Sequence, residues 1–316
     1  MKLIIQIPAW NEEKHLAGTI AALPQQVEGF DEIEVLVVDD GSDDRTAEVA
    51  EGAGATVIRL PVHRGLAVAF TTGIRHSVAR GADVIVNTDA DNQYDAGDIP
   101  ALVRPILDQS AQLVIGDRQV ATLPHFSAVK RLLQKLGSGV VRRLSGTDVR
   151  DATSGFRALS RAAAFRLHVF TRFTYTLETI LQAGEAGLKV ASVPIRVNPG
   201  VARPSRLFSS NVDYIVRSLA SMARIVILYN PLRIFLILGS LPVGLGAALL
   251  VRFLWFYATG NSPAGHVQSL ILAVILVVIG ALIWLAGIMA DLTAVNRRLL
   301  EEVVERQRAN GVDPYI

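Results

Sequence analysis

Cysteine is absent from all 316 residues, which removes disulfides, thiolate nucleophiles, zinc fingers and iron–sulfur centres together. The six histidines (15, 63, 76, 125, 168 and 266) show no HExxH or similarly close spacing, so a histidine metal site is not expected. Aromatics make up only 6% of the chain and the net charge is +2, so there is little to stack on bases or to neutralise a phosphate backbone. Nucleic acid is not an expected partner. No GxxxxGK(S/T) occurs, which excludes a P-loop, and Gly52-Ala53-Gly54 lacks the third glycine of a dinucleotide fingerprint. Met1 leads straight into a strand pattern and no long apolar run lies near it, so a cleavable signal peptide is not expected.

What is present is apolar. Hydrophobic residues reach 51% against 19% charged, with a mean hydropathy of +0.37. That is too apolar for an ordinary soluble domain and too charged for membrane helices alone, so two unlike parts are expected. Residues 1–205 read as a cytoplasmic α/β domain, 206–230 as an amphipathic interfacial helix, 231–257 and 267–290 as transmembrane helices, and 291–316 as a cytoplasmic helix. The run Leu270–Ala290 has 21 residues without a charge, and at a rise of ~1.5 Å per residue it spans roughly 30 Å, a hydrocarbon core. The earlier run contains Pro242 and Arg252; near the end of a span a long arginine can snorkel to the headgroups. Arg217, Arg224 and Arg233 precede the first run, Arg297 and Arg298 follow the second, and the connection Ala258–Ser269 holds no Lys or Arg. The positive-inside rule therefore puts both termini and the α/β domain in the cytoplasm of a multi-pass cell-membrane protein.

Between 203 and 233 five arginines face a single acid, Asp213, while Phe208, Val212, Ile215, Val216, Leu219, Ala223 and Val226 recur at helical spacing. This is the pattern of a helix lying on an anionic leaflet. The tail helix can pack on itself or on a sister subunit, so a homo-oligomer is one open arrangement.

In the first part, strands are expected at Leu3–Ile7, Glu34–Val38, Thr56–Arg59, Asp83–Asn87 and Leu113–Ile115, with a strand-like segment at Ala191–Val197. Helices are expected at Glu12–Leu23, Thr46–Glu51, Leu66–Arg80 and Asp98–Leu107. The alternation implies an α/β, doubly wound, mostly parallel sheet with its site at the carboxyl ends of the strands. Three of those ends are acidic: IPAWNEE (Ile7–Glu13), VVDDGSDD (Val37–Asp44) and VNTDADNQYD (Val86–Asp95). One such turn is an ordinary helix cap, but three together need a cation or sugar hydroxyls to offset their repulsion. The third mimics an EF-hand loop, yet Tyr94 holds the required glycine position and Pro100 the final glutamate position. What remains is a DXD pair, Asp89-Ala90-Asp91, with Gln93 as a further oxygen. Two carboxylates one residue apart can share a hard divalent cation that in turn holds a diphosphate.

With these motifs the sequence resembles the family-2 glycosyltransferases of GT-A-type fold, and more narrowly the dolichol-phosphate mannose synthase and polyprenyl-phosphate glucosyltransferase branch. The resemblance runs over residues 3–230 through PAWNEE, VVDDGS, HRG (His63–Gly65), DADNQ, GDR (Gly116–Arg118), DATSGFR (Asp151–Arg157) and ARPSRLF (Ala202–Phe208). The family often has Asn where His63 stands, and ARPSR differs from the RGxSK form of the mannose synthases. The QxxRW motif of the processive synthases is absent, which argues for a single transfer.

The resemblance implies roles. Pro8, Ala9, Asn11, Glu12 and Asp39 contact the nucleoside of a UDP- or GDP-sugar, Asp40 and Ser42 support that turn, and Arg64 and Gly65 belong to the same donor site. Asp89 and Asp91, flanking Ala90, bind Mg²⁺ or Mn²⁺ and the diphosphate together with Gln93. Arg118, Lys130 and Arg131 contact phosphate near the acceptor, and Arg203, Ser205 and Arg206 form a basic acceptor-side loop. Asp151 either caps the turn ahead of Ser154 or acts near the sugar. The implied reaction is inverting transfer of one hexose to a polyprenyl or dolichyl phosphate. At pH 7 a phosphate monoester is already largely anionic and needs no general base. Two alternatives are transfer to a hydroxyl lipid such as diacylglycerol, which would need a base, and a catalytically silent membrane scaffold.

Overall fold

The computed structural model describes residues 1–119, 128–167, 169, 175–198, 223–224, 227, 230–259 and 267–309. The chain divides into two compact units, Met1–Ser209 and Ser210–Ile316.

Seven strands of the first unit form one sheet: β1 (Lys2–Ala9), β2 (Glu32–Asp39), β3 (Thr56–Arg59), β4 (Val84–Asn87), β5 (Leu113–Asp117), β6 (Arg157–Ser160) and β7 (Val190–Pro194), in the order β3-β2-β1-β4-β6-β5-β7. The helices are α1 (Leu16–Ala21), α2 (Thr46–Gly52), α3 (Leu66–Ala79), α4 (Ile99–Leu107), α5 (Ala128–Ser145), α6 (Arg161–Arg166) and α7 (Thr176–Glu185). In β1, Leu3, Ile4, Ile5 and Ile7 are all fully buried. Burial of consecutive residues on both faces is what a strand covered by helices on each side requires. β1 pairs in parallel with β2 on one side and β4 on the other. The strand order therefore reverses at β1, and the turns leaving β1, β2 and β4 open into the crevice of a topological switch point. Strand β6 runs antiparallel to both of its neighbours, β4 and β5.

The expected strands are present, but the helix expected over Glu12–Leu23 is only Leu16–Ala21. Asn11 takes a left-handed conformation (φ 53). The N–H groups of Glu12 and Glu13 then go to Thr46 Oγ1 and Asp44 Oδ2 beyond β2, so the chain extends the site before it coils.

In the second unit α8 (Pro231–Ala258) and α9 (Val267–Ala309) are each long and apolar enough to cross a membrane. Their large apolar side chains are mostly exposed, Leu241 at 70% and Val251 at 66%, which suits lipid and not a soluble core. They approach closely over small residues: a Cβ on Gly246 would lie 2.7 Å from the Ala273 carbonyl, and one on Gly280 2.7 Å from the Gly239 carbonyl. Trp284 Nε1 donates to the Leu236 carbonyl at 3.0 Å. The segments expected as separate helices at 267–290 and 291–316 are continuous up to Ala309. Polarity changes at Asp291, but no glycine or proline follows Gly287 within the helix to end it. The interfacial helix expected at 206–230 lies outside the described residues, apart from 223–224, 227 and 230.

Candidate active site

The turns after β1 and β2 are tied into one structure. Asn11 donates its backbone N–H to Ser42 Oγ (2.9 Å) and accepts at Oδ1 from Asp43 N (2.9 Å), while Asp39 Oδ1 accepts from Ser42 N (3.0 Å). Asp40 is almost fully buried and spent on the start of α3. Its two carboxylate oxygens accept from the backbone N–H groups of Arg64 (2.9 Å) and Gly65 (2.8 Å), and His63 Nδ1 lies 2.9 Å from Oδ2. The His63 ring stacks on Trp10 with centroids 4.1 Å apart. Pro8 and Ala9 end β1 and sit beside Val38 and Asp39 of β2. Asp40 and Ser42 thus hold the turns after β1 and β2 in place through backbone N–H groups.

The turn after β4 carries Asp89 and Asp91. The Tyr94 hydroxyl hydrogen-bonds to Asp89 and accepts from Gly155 N at 3.0 Å. A side chain at Gly155 would collide with Asp89: a Cβ there would lie 2.7 Å from one carboxylate oxygen and 3.0 Å from the other. Burial pushes the Asp89 carboxyl up to about 6, with the nearby Asp91 charge adding to it and Arg118 opposing. Burial also raises Asp91, against the Gln93 N–H that its Oδ1 accepts at 3.1 Å. Ala90 is buried, and its carbonyl accepts from Thr19 Oγ1 at 2.9 Å. Asn198 fixes the far side of the turn, donating from N to the Gln93 carbonyl and from Nδ2 to the Asn92 carbonyl, both at 2.9 Å.

Next to this acidic pair stands a charge of opposite sign. Arg118, just past β5, makes a two-pronged ion pair with Asp151: Nε to Oδ2 at 2.7 Å and Nη2 to Oδ1 at 3.0 Å. Nη2 also reaches Thr153 Oγ1 at 2.8 Å. Both side chains are largely buried, at 11% and 2% exposure, so the pair is held well beyond what a surface ion pair achieves. Asp151 therefore joins Arg118 to the turn that precedes β6.

Beneath the crevice lies a polar layer that the motif reading did not assign. Asn87, fully buried at the end of β4, accepts from Gln6 Nε2 (2.9 Å) and donates to the Gly155 carbonyl (2.8 Å) and the Tyr175 hydroxyl (2.9 Å). Tyr175 stacks on Phe70 at 3.8 Å, and the Arg157 guanidinium lies 5.1 Å from its ring centre. Arg157, also fully buried, donates to the carbonyls of Thr176 (3.2 Å) and Ser154 and to Thr179 Oγ1 (2.6 Å). A polar residue opening or closing a short strand within a motif, as Asn87 and Arg157 do, is the signal in the sequence that points to this layer. The side chains of Lys130 and Arg131, and all of Arg203, Ser205 and Arg206, lie outside the described residues. Among the described residues no group of three or more His, Asp or Glu side chains could close a metal site by itself.

The mostly parallel sheet with acidic turns at its switch point has the arrangement of a GT-A-type fold, and two long apolar helices follow it in the chain. Residues 4–166 match glycosyl transferase family 2, and the chain belongs to that family. It is 29% identical over 206 residues to the undecaprenyl-phosphate mannosyltransferase of Micrococcus luteus, covering 62% of this chain and 83% of that one. It is also 29% identical over 217 residues to the UDP-N-acetylglucosamine–dolichyl-phosphate N-acetylglucosaminyltransferase of Methanococcus voltae, covering 60% and 83%. Among solved structures it is similar to glucosyl-3-phosphoglycerate synthase from Mycobacterium tuberculosis in complex with Mn²⁺ and UDP-glucose. There the TM-score is 0.52 and the identity 26%, over 72% of this chain and 77% of that one.

Proposed function

We propose that this enzyme transfers one hexose, with inversion, from a nucleotide sugar to the phosphate of a polyprenyl or dolichyl lipid. One observation carries the choice of acceptor. Both carboxylate oxygens of Asp151 are engaged by Arg118, at 2.7 and 3.0 Å. Asp151, the carboxylate the sequence offers as a candidate base, is thus committed to holding a cation. A lipid hydroxyl would need that base; a phosphate monoester, with a second pKa near 6, does not. Arg118, with Nε and Nη2 engaged, brings a positive charge beside the acidic turn that suits a phosphate acceptor. Relatives that act on undecaprenyl and dolichyl phosphate support the same acceptor class.

The residues fit a divalent metal. Asp89, Asp91 and the Gln93 amide are hard oxygen donors suited to Mg²⁺ or Mn²⁺, and the raised pKa of both carboxylates marks a place where negative charge lacks compensation. Two protein carboxylates leave coordination positions for diphosphate oxygens. When bound, the metal would supply charge neutralisation for the departing nucleotide. Nucleoside contacts are assigned to Pro8, Ala9, Asn11, Glu12 and Asp39, within a crevice shaped by Asp40, Ser42, Arg64 and Gly65. The chain's own contribution is to orient acceptor and donor and hold two anions together. Lys130, Arg131, Arg203, Ser205 and Arg206 are assigned to the acceptor side.

The enzyme is read as a membrane protein whose two long helices cross the bilayer, with termini and catalytic domain in the cytoplasm. The decisive experiment incubates membranes containing the protein with Mn²⁺, each radiolabelled UDP- or GDP-sugar, and either polyprenyl phosphate or diacylglycerol. Label is expected in the lipid fraction only with the phosphate acceptor and only without excess EDTA. Label in diacylglycerol would overturn the acceptor assignment.

A further inference from the structure

Three successive backbone carbonyls in the turn after β4 are taken up by one residue. The carbonyls of Asn92 and Tyr94 accept from Asn198 Nδ2 at 2.9 and 3.2 Å, and that of Gln93 accepts from the Asn198 backbone N–H at 2.9 Å. Asn92 Oδ1 lies 3.4 Å from the same Nδ2. A side-chain amide has two protons to give, so the donors of Asn198 are fully used here. Asn92 and Asn198 stand 106 residues apart, so no local turn preference supplies the contact. What it holds is a backbone in an uncommon state. Asn92 has φ 57, in the left-handed region where any residue but glycine is at a steric disadvantage. It stands between Asp91 and Gln93, and Asp91 Oδ1 accepts from Gln93 N across it at 3.1 Å. Relaxation of Asn92 to negative φ would swing Gln93 relative to Asp91 and open that bond.

We infer that Asn198 is a positioning residue for the metal site: by holding Asn92 left-handed it fixes Asp91 and Gln93 relative to each other before the ion arrives. The inference rests on the assignment of Asp91 and Gln93 to a divalent cation proposed above. Asn198 is not itself a ligand, because the amide nitrogen it turns to the loop carries protons and offers no lone pair to a cation. Its effect is to set the ligands in place, so that less order has to be imposed on them when the ion binds. A purely structural Asn198, one that only ties the segment after β7 to the domain, makes a different prediction: its loss would lower stability and leave metal affinity alone.

The test titrates full-length protein in detergent with Mn²⁺ alone, by calorimetry, and reads the metal-free Tm alongside. Asn198→Ala is expected to raise the Mn²⁺ Kd by roughly 10- to 100-fold. Glycine takes positive φ freely, so adding Asn92→Gly to Asn198→Ala should bring the Kd back to within about fivefold of wild type. Asn92→Val puts a β-branched residue at that dihedral and should weaken Mn²⁺ binding with Asn198 still in place, which tests the same point if Asn198→Ala does not fold. In the membrane transfer assay Asn198→Ala should need correspondingly more Mn²⁺ for half-maximal rate, with kcat at saturating Mn²⁺ within about twofold of wild type. An unchanged Mn²⁺ Kd in Asn198→Ala, whatever its Tm, would overturn the inference. So would a double variant no better than the single one, or a kcat that stays low at saturating Mn²⁺. Asp91→Ala separates the inference from the reading beneath it. If that variant loses Mn²⁺ binding and Asn198→Ala keeps it, only the inference falls; if Asp91→Ala binds Mn²⁺ like wild type, the metal assignment falls and the inference with it.

Discussion

Replacing Asp89 by asparagine should stabilise the metal-free protein while removing its response to metal. The Asp89 carboxyl stands at about 6 in the fold against an ordinary value of 3.8, first because it is buried and second because Asp91 is near. A folded pKa above the unfolded one means that the ionised group weighs against folding. At pH 7.5 both states are ionised and the penalty is complete; between pH 6 and 4 it fades, and below the unfolded value it vanishes. Two units correspond to about 3 kcal/mol as an upper bound. Asn keeps an oxygen for the Tyr94 hydroxyl and the shape that fits against Gly155, so the uncharged variant should recover most of this. For a unit of this size that is a rise in Tm of roughly 5–10 °C. The assay is thermal unfolding of the full chain in detergent at pH 7.5 and at pH 4, with and without Mn²⁺. Expected are a higher metal-free Tm for Asp89→Asn at pH 7.5, no such gain at pH 4, and a Mn²⁺-induced rise for wild type alone. A lower metal-free Tm in the variant at pH 7.5, or an undiminished Mn²⁺ response, would refute the assignment of Asp89 as an uncompensated ligand.

The same raised carboxyl predicts competition between proton and metal: the apparent Kd for Mn²⁺, measured by calorimetry, should rise about tenfold per pH unit once pH falls below about 6. A flat profile from pH 7 to 5 would contradict it. Arg118→Lys keeps the charge but loses the fork on Asp151, and should lower kcat by roughly one to two decades with nucleotide affinity nearly unchanged; loss of nucleotide binding instead would move Arg118 to the donor side. The double variant Arg203→Ala, Arg206→Ala should raise the acceptor KM or lower kcat by about one to two decades, since each charge-assisted bond is worth roughly 1.5–3 kcal/mol, and near-normal acceptor kinetics would leave that loop without a role.

The parts of the fold legible in the sequence were those where local pattern and burial agree. The β1 stretch LIIQI and the β4 stretch VIVN are mostly apolar runs that lead into acidic turns, and they read as strands because both faces are covered. Strand β6 did not, because RALS opens with an arginine whose burial depends on Thr176 and Thr179, 19 and 22 residues further on and outside any local window. No helix was expected at α5, whose described apolar residues divide, Leu136 and Val140 exposed and Val141 buried, so that no single core face stands out. The DXD residues were found because their spacing is itself chemical. Tyr94 was noticed only as the residue that spoils an EF-hand loop, whereas its ring packs on Phe156 and its hydroxyl joins Asp89 to Gly155.

The reversed strand explains why motifs far apart in sequence meet. In a wholly parallel sheet only the turns that follow strands reach the carboxyl edge, and turns that precede strands lie at the opposite edge. β6 runs the other way, with its first residue, Arg157, opposite Asn87, the last residue of β4, and opposite Ile115 near the end of β5. The segment leading into β6 therefore arrives at the edge where β4 and β5 depart. That is how Gly155 comes to lie against Asp89, and how Asp151 comes to grip Arg118. One antiparallel strand thus joins the acidic subsite, at the end of β4, to the basic one, at the end of β5, and Asn87 and Tyr94 lock the junction through the carbonyl and N–H of Gly155. A reaction that brings an anionic acceptor to an anionic donor needs both subsites at fixed separation before either substrate binds. Among the described residues, backbone hydrogen bonds at Gly155 and the buried Arg118–Asp151 ion pair serve that need.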